Sequence, residues 1–136
     1  MIREFKNNFM QVSFVTTIWI LFLSTVFIPN RPITLLDVWR LVGIAMLFGL
    51  TFGIVYPYLW NYSTFKASIN IAISTVINVT CGITSVYLFS TEMFQIIVPF
   101  ILLILLATLL GHIAGFYFYS KYENNKLTKE INTQFK

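Results

Sequence analysis

Charged residues are spread so unevenly along this chain that they divide it into four long uncharged windows. The windows run from Asn7 to Asn30, Leu41 to Phe65, Ala67 to Thr91 and Met93 to Ser120, and they contain 24, 25, 25 and 28 residues. A helix needs about 20 apolar residues to cross the roughly 30 Å hydrocarbon core of a bilayer. Each window is therefore long enough to form one membrane-spanning helix.

The overall composition excludes an ordinary soluble domain. Only 10% of the 136 residues are charged, whereas a soluble domain carries about 25%. Apolar runs such as residues 101–106 do not alternate as the strands of a membrane barrel do. We predict an all-α integral membrane protein in which residues 1–120 form a four-transmembrane-helix bundle, with spans near residues 9–28, 37–60, 66–89 and 93–120. Residues 121–136 are predicted to form a short basic tail.

Local signals mark the ends of these spans. Pro29 and Pro32 are predicted to end the first span, because proline lacks a backbone donor and disfavours helix in the preceding residue. Thr34 and Asp37 have the spacing of a capping box at the start of the second span. Pro57 removes a donor to the carbonyl of Gly53, which predicts a kink.

Basic residues predict the orientation of the bundle. One side of the predicted topology carries Arg3, Lys6, Lys66, Lys121, Lys126, Lys129 and Lys136, and the other side carries Arg31 and Arg40. We therefore predict a multi-pass protein of the plasma membrane. By the positive-inside rule, both of its termini lie in the cytoplasm. A secretory signal peptide is the competing interpretation of the N-terminus, but the apolar run is too long and lacks a small-residue cleavage site.

Small residues recur every four positions on two of the spans. The two stripes are Ala45, Gly49 and Gly53 on span two, and Ala107, Gly111 and Gly115 on span four. Such stripes let helix backbones approach closely inside a bilayer. We expect tight packing within one bundle, and the alternative is a seam between two copies in a homo-oligomer.

Polar residues follow one face of span three. This intramembrane polar set comprises Asn70, Ser74, Asn78, Cys81 and Ser85, at spacings that place them together on a helix. Because an amide facing lipid is costly, Asn78 is expected to point into the bundle and to bond across it. The stripe is interpreted as hydrogen-bonded packing, with a hydrophilic path or ligand groove as the alternative.

The chain offers few groups for chemistry. His112 is the sole histidine and lies within span four, where an ionisable group is a functional candidate; we expect a neutral imidazole bonded to a neighbouring helix. Cys81 is alone, so it forms no intrachain disulfide or cysteine cluster. With the acids confined to span ends and tails, we predict no catalytic, cofactor-binding or metal site, and therefore no enzyme. Basic flanks suit anionic lipids rather than nucleic acid.

Both tails have an amphipathic pattern. Ile2, Phe5 and Phe9 are spaced by three and four residues near the N-terminus, and Leu127, Ile131 and Phe135 are spaced by four near the C-terminus. These patterns predict short amphipathic helices that either lie on lipid headgroups or bind a cytoplasmic partner.

Three stretches of the chain are similar to a family of bacterial four-helix membrane proteins known as domain of unknown function 3021. They are Ile33 to Leu41 (ITLLDVWRL), the short return through Phe65 and Lys66, and Tyr119 to Asn132 (YSKYENNKLTKEIN). Members of that family are often encoded beside LytTR-type transcription factors. The resemblance implies a membrane protein that restrains such a factor, and it carries over no catalytic residue.

These observations favour a non-enzymatic membrane protein that acts as a regulatory or accessory partner of a LytTR-type transcription regulator. Two alternatives stay open. The first is a small channel or transporter subunit that uses the polar face of span three and His112, and the second is an assembly subunit of a larger membrane complex. A transporter of the small multidrug exporter type is disfavoured, because those proteins use a membrane-embedded carboxylate and the four windows contain none.

Overall fold

Helices account for all the regular secondary structure in the described chain. The computed structural model describes residues 2–27, 30 and 32–134. Helix α1 is Ile2–Phe27, α2 is Leu35–Phe48, α3 is Ala67–Phe89, α4 is Thr91–Ile97 and α5 is Ile101–Gln134, with π-helical segments at Gly49–Val55 and Tyr58–Tyr62 and a 3₁₀ turn at Val98–Phe100.

Four helical segments are long and apolar enough to cross a membrane, which confirms the predicted number of spans. They are span one (Ile2–Phe27), span two (Leu35–Tyr62), span three (Ala67–Phe89) and span four (Thr91–Thr133). Span one begins several residues before the predicted start near residue 9, and span four continues well past residue 120. All four segments contain more than the roughly 20 residues that a helix needs to cross a bilayer, and span four, with 43 residues, is the longest of them.

The caps of two helices follow from the sequence. Thr34 and Asp37 form the predicted capping box, in which the Thr34 hydroxyl accepts from the Asp37 backbone amide and the Asp37 carboxylate accepts from the Thr34 amide. Ser90 accepts from the backbone amide of Met93 at the start of α4. Pro32 lies between α1 and α2, and Pro29 and Arg31 lie outside the described residues.

Span two contains wide helical turns on both sides of Pro57. The amide of Tyr56 donates to the carbonyl of Thr51, and the amide of Ser63 donates to the carbonyl of Tyr58, each five residues back. Pro57 cannot donate to the carbonyl of Gly53, and the helix accommodates this loss by forming π turns rather than by ending. Turns of this kind add a residue and change which side chains face the neighbouring helices.

The spans pack mainly on their neighbours in sequence, in the order one, two, three, four. Spans two and three are central, and spans one and four are peripheral and mostly exposed. Near the N-terminus, the Tyr62 hydroxyl donates to the Glu4 carboxylate at 2.7 Å and the Tyr62 ring packs edge-on against Phe5. Trp60, two residues before Tyr62, contacts Tyr119 near the end of span four. The start of span one and the end of span four therefore lie at the same end of the bundle, here called the terminal end. The opposite end is the distal end.

The two small-residue stripes have different surroundings. Ala45, Gly49 and Gly53 are buried, and a Cβ atom on Gly53 would lie 2.7 Å from the Phe9 backbone. Span one therefore rests directly on the glycines of span two. By contrast, Ala107, Gly111 and Gly115 are exposed, and a Cβ atom on either glycine of span four would meet nothing within 4 Å. The expected packing within one bundle thus fails for span four, because α5 turns its other face toward α3.

The N-terminal apolar residues also differ from the expectation of a separate short helix. Phe5 and Phe9 belong to span one and pack on span two, whereas Ile2 is exposed. These residues extend the seam between spans one and two, so little apolar surface is left there for a partner.

Candidate polar site between spans two, three and four

A hydrogen-bonded cluster joins one side chain from each of three spans. The Tyr56 hydroxyl of span two lies 2.5 Å from Nε2 of His112 on α5. On the other side of the imidazole, Nδ1 lies 3.1 Å from the hydroxyl oxygen of Thr75 on α3. His112 therefore connects spans two and three to span four, as expected for a histidine bonded to a neighbouring helix.

The two hydroxyls of the cluster also reach backbone carbonyls of α3. The Thr75 hydroxyl lies 2.8 Å from the carbonyl oxygen of Ile71, and the Tyr56 hydroxyl lies 3.3 Å from that of Ser74. A carbonyl oxygen only accepts, so each of these contacts requires the hydroxyl to donate. The hydrogen-bonded chain thus ends on two backbone acceptors of α3, the carbonyl oxygens of Ile71 and Ser74.

The cluster has four contacts, and the longest of them joins the Tyr56 hydroxyl to the Ser74 carbonyl. A neutral imidazole with its hydrogen on Nδ1 satisfies the other three. Nδ1 then donates to Thr75, whose own hydrogen goes to Ile71, and Nε2 accepts from Tyr56. The rings of Tyr56 and His112 also pack against each other, with their centroids 5.8 Å apart. The tautomer follows from the donor and acceptor inventory of the neighbours.

The predicted polar set on α3 is divided between this cluster and other contacts. Asn78 lies close to the Tyr56 side chain, and Ser74, Cys81 and Ser85 are buried. Neither the Ser74 nor the Ser85 hydroxyl has a hydrogen-bond partner in the described structure. The stripe therefore faces inward as predicted, but the hydrogen-bonded packing expected of it is not made by Ser74 or Ser85.

Asn70 forms its hydrogen bonds at the terminal end of the bundle, away from the cluster around His112. Its side-chain amide donates to the Leu59 carbonyl at 2.9 Å, and its oxygen accepts from the Ser63 hydroxyl at 3.2 Å. The π segment at Tyr58–Tyr62 leaves the end of span two beside α3, so Asn70 provides a polar bridge between the two spans.

Sequence reasoning missed Tyr56 and Thr75. Tyr56 is one of several aromatic residues near the end of span two, and its spacing alone does not show that its ring packs against Phe52 and His112. Thr75 follows Ser74 in the sequence and lies outside the predicted stripe. The lone histidine in span four was the signal that polar partners had to exist on other helices, although it did not identify them.

Two cavities lie elsewhere in the bundle. One of about 340 Å³ opens at the distal end between spans one, two and three, lined mainly by apolar side chains with Asp37 and Arg40 among them; these two form an ion pair at 3.7 Å. Another of about 260 Å³ lies between α3 and span four, beside Asn78 and Thr108. Within residues 2–27, 30 and 32–134, no three His, Cys, Asp or Glu residues are grouped as metal ligands would be.

Comparison with known protein families, curated proteins and solved structures finds no match to this chain. The resemblance to domain of unknown function 3021 and the link to LytTR-type regulators therefore stay predictions.

Proposed function

We propose that this chain is a non-enzymatic regulatory membrane protein that binds a cytoplasmic transcription regulator, of the LytTR type, through the end of α5. The observation that supports the proposal is the continuous helix Ile101–Gln134, which carries Leu127 and Ile131 about half exposed beyond the packed spans.

The length of α5 supports a position of its last turns outside the lipid. Its 34 residues correspond to about 51 Å at 1.5 Å per residue, against a hydrocarbon core of about 30 Å. Charged residues begin at Lys121, directly after the last uncharged window. The segment from Lys121 to Gln134, here called the α5 extension, is therefore expected to project into water.

The apolar face of the α5 extension continues the face that packs inside the bundle. Phe116, Ser120 and Glu123 are half-buried, and Leu127 and Ile131 follow at the same helical spacing. Span two ends at Tyr62 and span three begins at Ala67, so neither continues alongside the extension. Phe135, the third residue of the predicted tail pattern, lies outside the described residues.

A protein partner fits this geometry better than the lipid surface. A helix that turned to lie on the headgroups would need a kink, and kinks arise at prolines, glycine or serine pairs and π turns. The extension contains no proline or glycine, and it forms one helix with span four. Its bases Lys121, Lys126 and Lys129 suit a partner groove with an acidic rim.

Replacing both Leu127 and Ile131 with glutamate is expected to abolish regulation of the operon that encodes this protein. Hot-spot apolar residues at an interface contribute about 2 kcal/mol or more each, so the double variant is expected to behave as a deletion. Transcript levels of the operon measure the effect, and membrane fractionation shows that the variant is still inserted.

The matched control adds the same two charges to the other side of the extension. Asn125 and Asn132 are exposed and lie at least about 120° around the helix from the centre of the face formed by Leu127 and Ile131, so Asn125→Glu with Asn132→Glu is expected to regulate as the wild type does. Truncation after Ser120 is expected to match the deletion. Normal regulation by the truncated protein would place the contact elsewhere, and unchanged transcripts on deletion of the gene would remove the regulatory function.

A second candidate function, a small channel or transporter subunit, is favoured by the cluster of Tyr56, Thr75 and His112 and by the adjacent Asn78. Polar groups inside a membrane often mark an ion or substrate path. This function predicts flux in proteoliposomes that falls when Asn78 or His112 is replaced by leucine. Equal flux in the wild type, both variants and empty liposomes would exclude it.

A further inference from the structure

We propose that the cavity at the distal end binds a single-chain amphiphile whose head group is an oxygen anion, either a carboxylate or a phosphate. The cavity has a volume of about 340 Å³ and opens between α1, the first turns of α2 and the end of α3. This volume lies within the range of small-molecule sites in proteins, about 300 to 1,000 Å³. The site is at the opposite end of the bundle from the α5 extension, and its occupancy does not depend on a partner there.

The lining of the cavity changes from polar to apolar along two helices. On α2 it runs from the half-buried Arg40 to the buried Ile44, which is one turn, or about 6 Å, further along the helix. On α1 it runs in the same direction from Ser24 to Ile20. Leu88 of α3 adds to the apolar part. The lining therefore has the polarity of an amphiphile, with one end for a head group and the other for an aliphatic chain.

Two of the polar side chains in the lining have hydrogen-bond donors that the protein does not use. The polar lining residues are Ser24, Thr25, Asp37 and Arg40. The Thr25 hydroxyl donates to the Leu21 carbonyl at 2.8 Å, and Oδ2 of Asp37 accepts from the amide and the hydroxyl of Thr34. Within the part of the chain that the structure describes, neither the Arg40 guanidinium nor the Ser24 hydroxyl forms a hydrogen bond. The unused groups are donors, so the ligand that matches them is an acceptor.

Arg40 is the group that selects an anion. Its Nη1 lies 3.7 Å from Oδ1 of Asp37, which is longer than the roughly 3.2 Å of an N–H to oxygen hydrogen bond. The Asp37 carboxylate caps α2, and the start of a helix stabilises such a charge. The guanidinium can therefore turn its N–H groups to a ligand, and its planar fork matches two oxygens of a carboxylate or phosphate.

The position of the site along the chain matches the depth of a head group in a bilayer. Arg40 directly precedes the uncharged window that begins at Leu41, and Ser24 lies near the end of α1. The donors thus lie where the spans meet the charged connection between them. An amphiphile in a membrane has its head in the polar layer and its chain in the hydrocarbon, so it enters this cavity without changing its depth.

Photolabelling of the whole chain in phosphatidylcholine nanodiscs tests the site. The probe is dodecanoic acid with a diazirine on its chain, and mass spectrometry locates the labelled residues. We expect saturable labelling of the α1 and α2 residues that line the cavity. Dodecanoate is expected to displace the probe, and dodecanol at the same concentration in the bilayer is not. Equal displacement by dodecanol, or labelling spread over all the spans, would overturn the proposal.

A second competitor distinguishes the two possible head groups. Dodecyl phosphate has the same chain as dodecanoate and the phosphate of a single-chain phospholipid. Displacement at a lower concentration of dodecanoate supports a fatty acid as the ligand, and displacement at a lower concentration of dodecyl phosphate supports a lysophospholipid. Both results retain the anionic head, whereas displacement by neither competitor contradicts it.

Variants of the two donors test the part played by each side of the cavity. Arg40→Gln removes the charged donor and is expected to weaken probe binding at least about tenfold, whereas Arg3→Gln, at an exposed arginine of the terminal end, is expected to match the wild type. Ser24→Leu fills space in the cavity and is expected to prevent labelling, unlike Ser68→Leu at an exposed position. Unchanged labelling of Arg40→Gln and Ser24→Leu would contradict the site. Should either variant fail to fold, the competition between dodecanoate and dodecanol on the wild type decides.

Discussion

Replacing Gly53 with alanine is expected to destabilise the folded protein by about 1 to 3 kcal/mol, the usual cost of forcing extra volume into a packed contact. The added Cβ atom would lie 2.7 Å from both the amide nitrogen and the Cα atom of Phe9, and 2.9 Å from the carbonyl carbon of Asn8. These are backbone atoms, so no side-chain rotation relieves the clash and span one has to move as a whole. The free energy of unfolding in mixed micelles measures the effect.

Gly111→Ala is the matched control for this substitution. Gly111 belongs to the corresponding small-residue stripe of span four, and the added methyl group would meet nothing within 4 Å. Its expected effect on unfolding is within about 0.5 kcal/mol, as for other exposed positions. Equal losses for the two variants would contradict the close approach of span one to span two. A loss with Gly111→Ala that depends on protein concentration would instead indicate a second copy on the exposed stripe.

Replacing Ser74 with leucine is expected to be similarly damaging, by about 1 to 3 kcal/mol. Ser74 is 0% exposed, and its backbone carbonyl on α3 lies 3.3 Å from the Tyr56 hydroxyl of span two. A larger side chain there has to separate the two central spans. Chemical denaturation followed by circular dichroism measures the loss.

Two controls separate volume from polarity at this position. Ser68→Leu makes the same change at an exposed site on the same helix, and it is expected to have little effect. Ser74→Ala removes a buried hydroxyl that has no partner in the described structure, so it is expected to leave stability unchanged or slightly higher. A strong loss with Ser74→Ala would show that the hydroxyl matters more than the space.

The spans and caps could be predicted because their causes are local. Uncharged windows longer than the bilayer is thick have to form helices, since the backbone of a lipid-exposed segment has to bond within itself. The capping box of Thr34 and Asp37 needs two residues three positions apart and nothing else. Both follow from neighbours in the chain, and both are present in the structure.

The use of the two small-residue stripes could not be predicted from their spacing. Ala45, Gly49 and Gly53 have the same pattern as Ala107, Gly111 and Gly115, yet only the first stripe contacts another helix of the described chain. A stripe shows that a close approach is possible, whereas the face that each helix turns to its neighbours depends on all the packing around it.

The sequence by itself determined that this chain forms four helices long and apolar enough to cross a membrane, because hydrocarbon cannot solvate charges or open backbone groups. Only the tertiary structure decided that Tyr56, Thr75 and His112 meet, since they lie on three different helices. The π turns around Pro57 and the rotation of α5 about its axis bring them together. Such contacts between distant parts of the chain depend on the packing of whole helices, which no local pattern specifies.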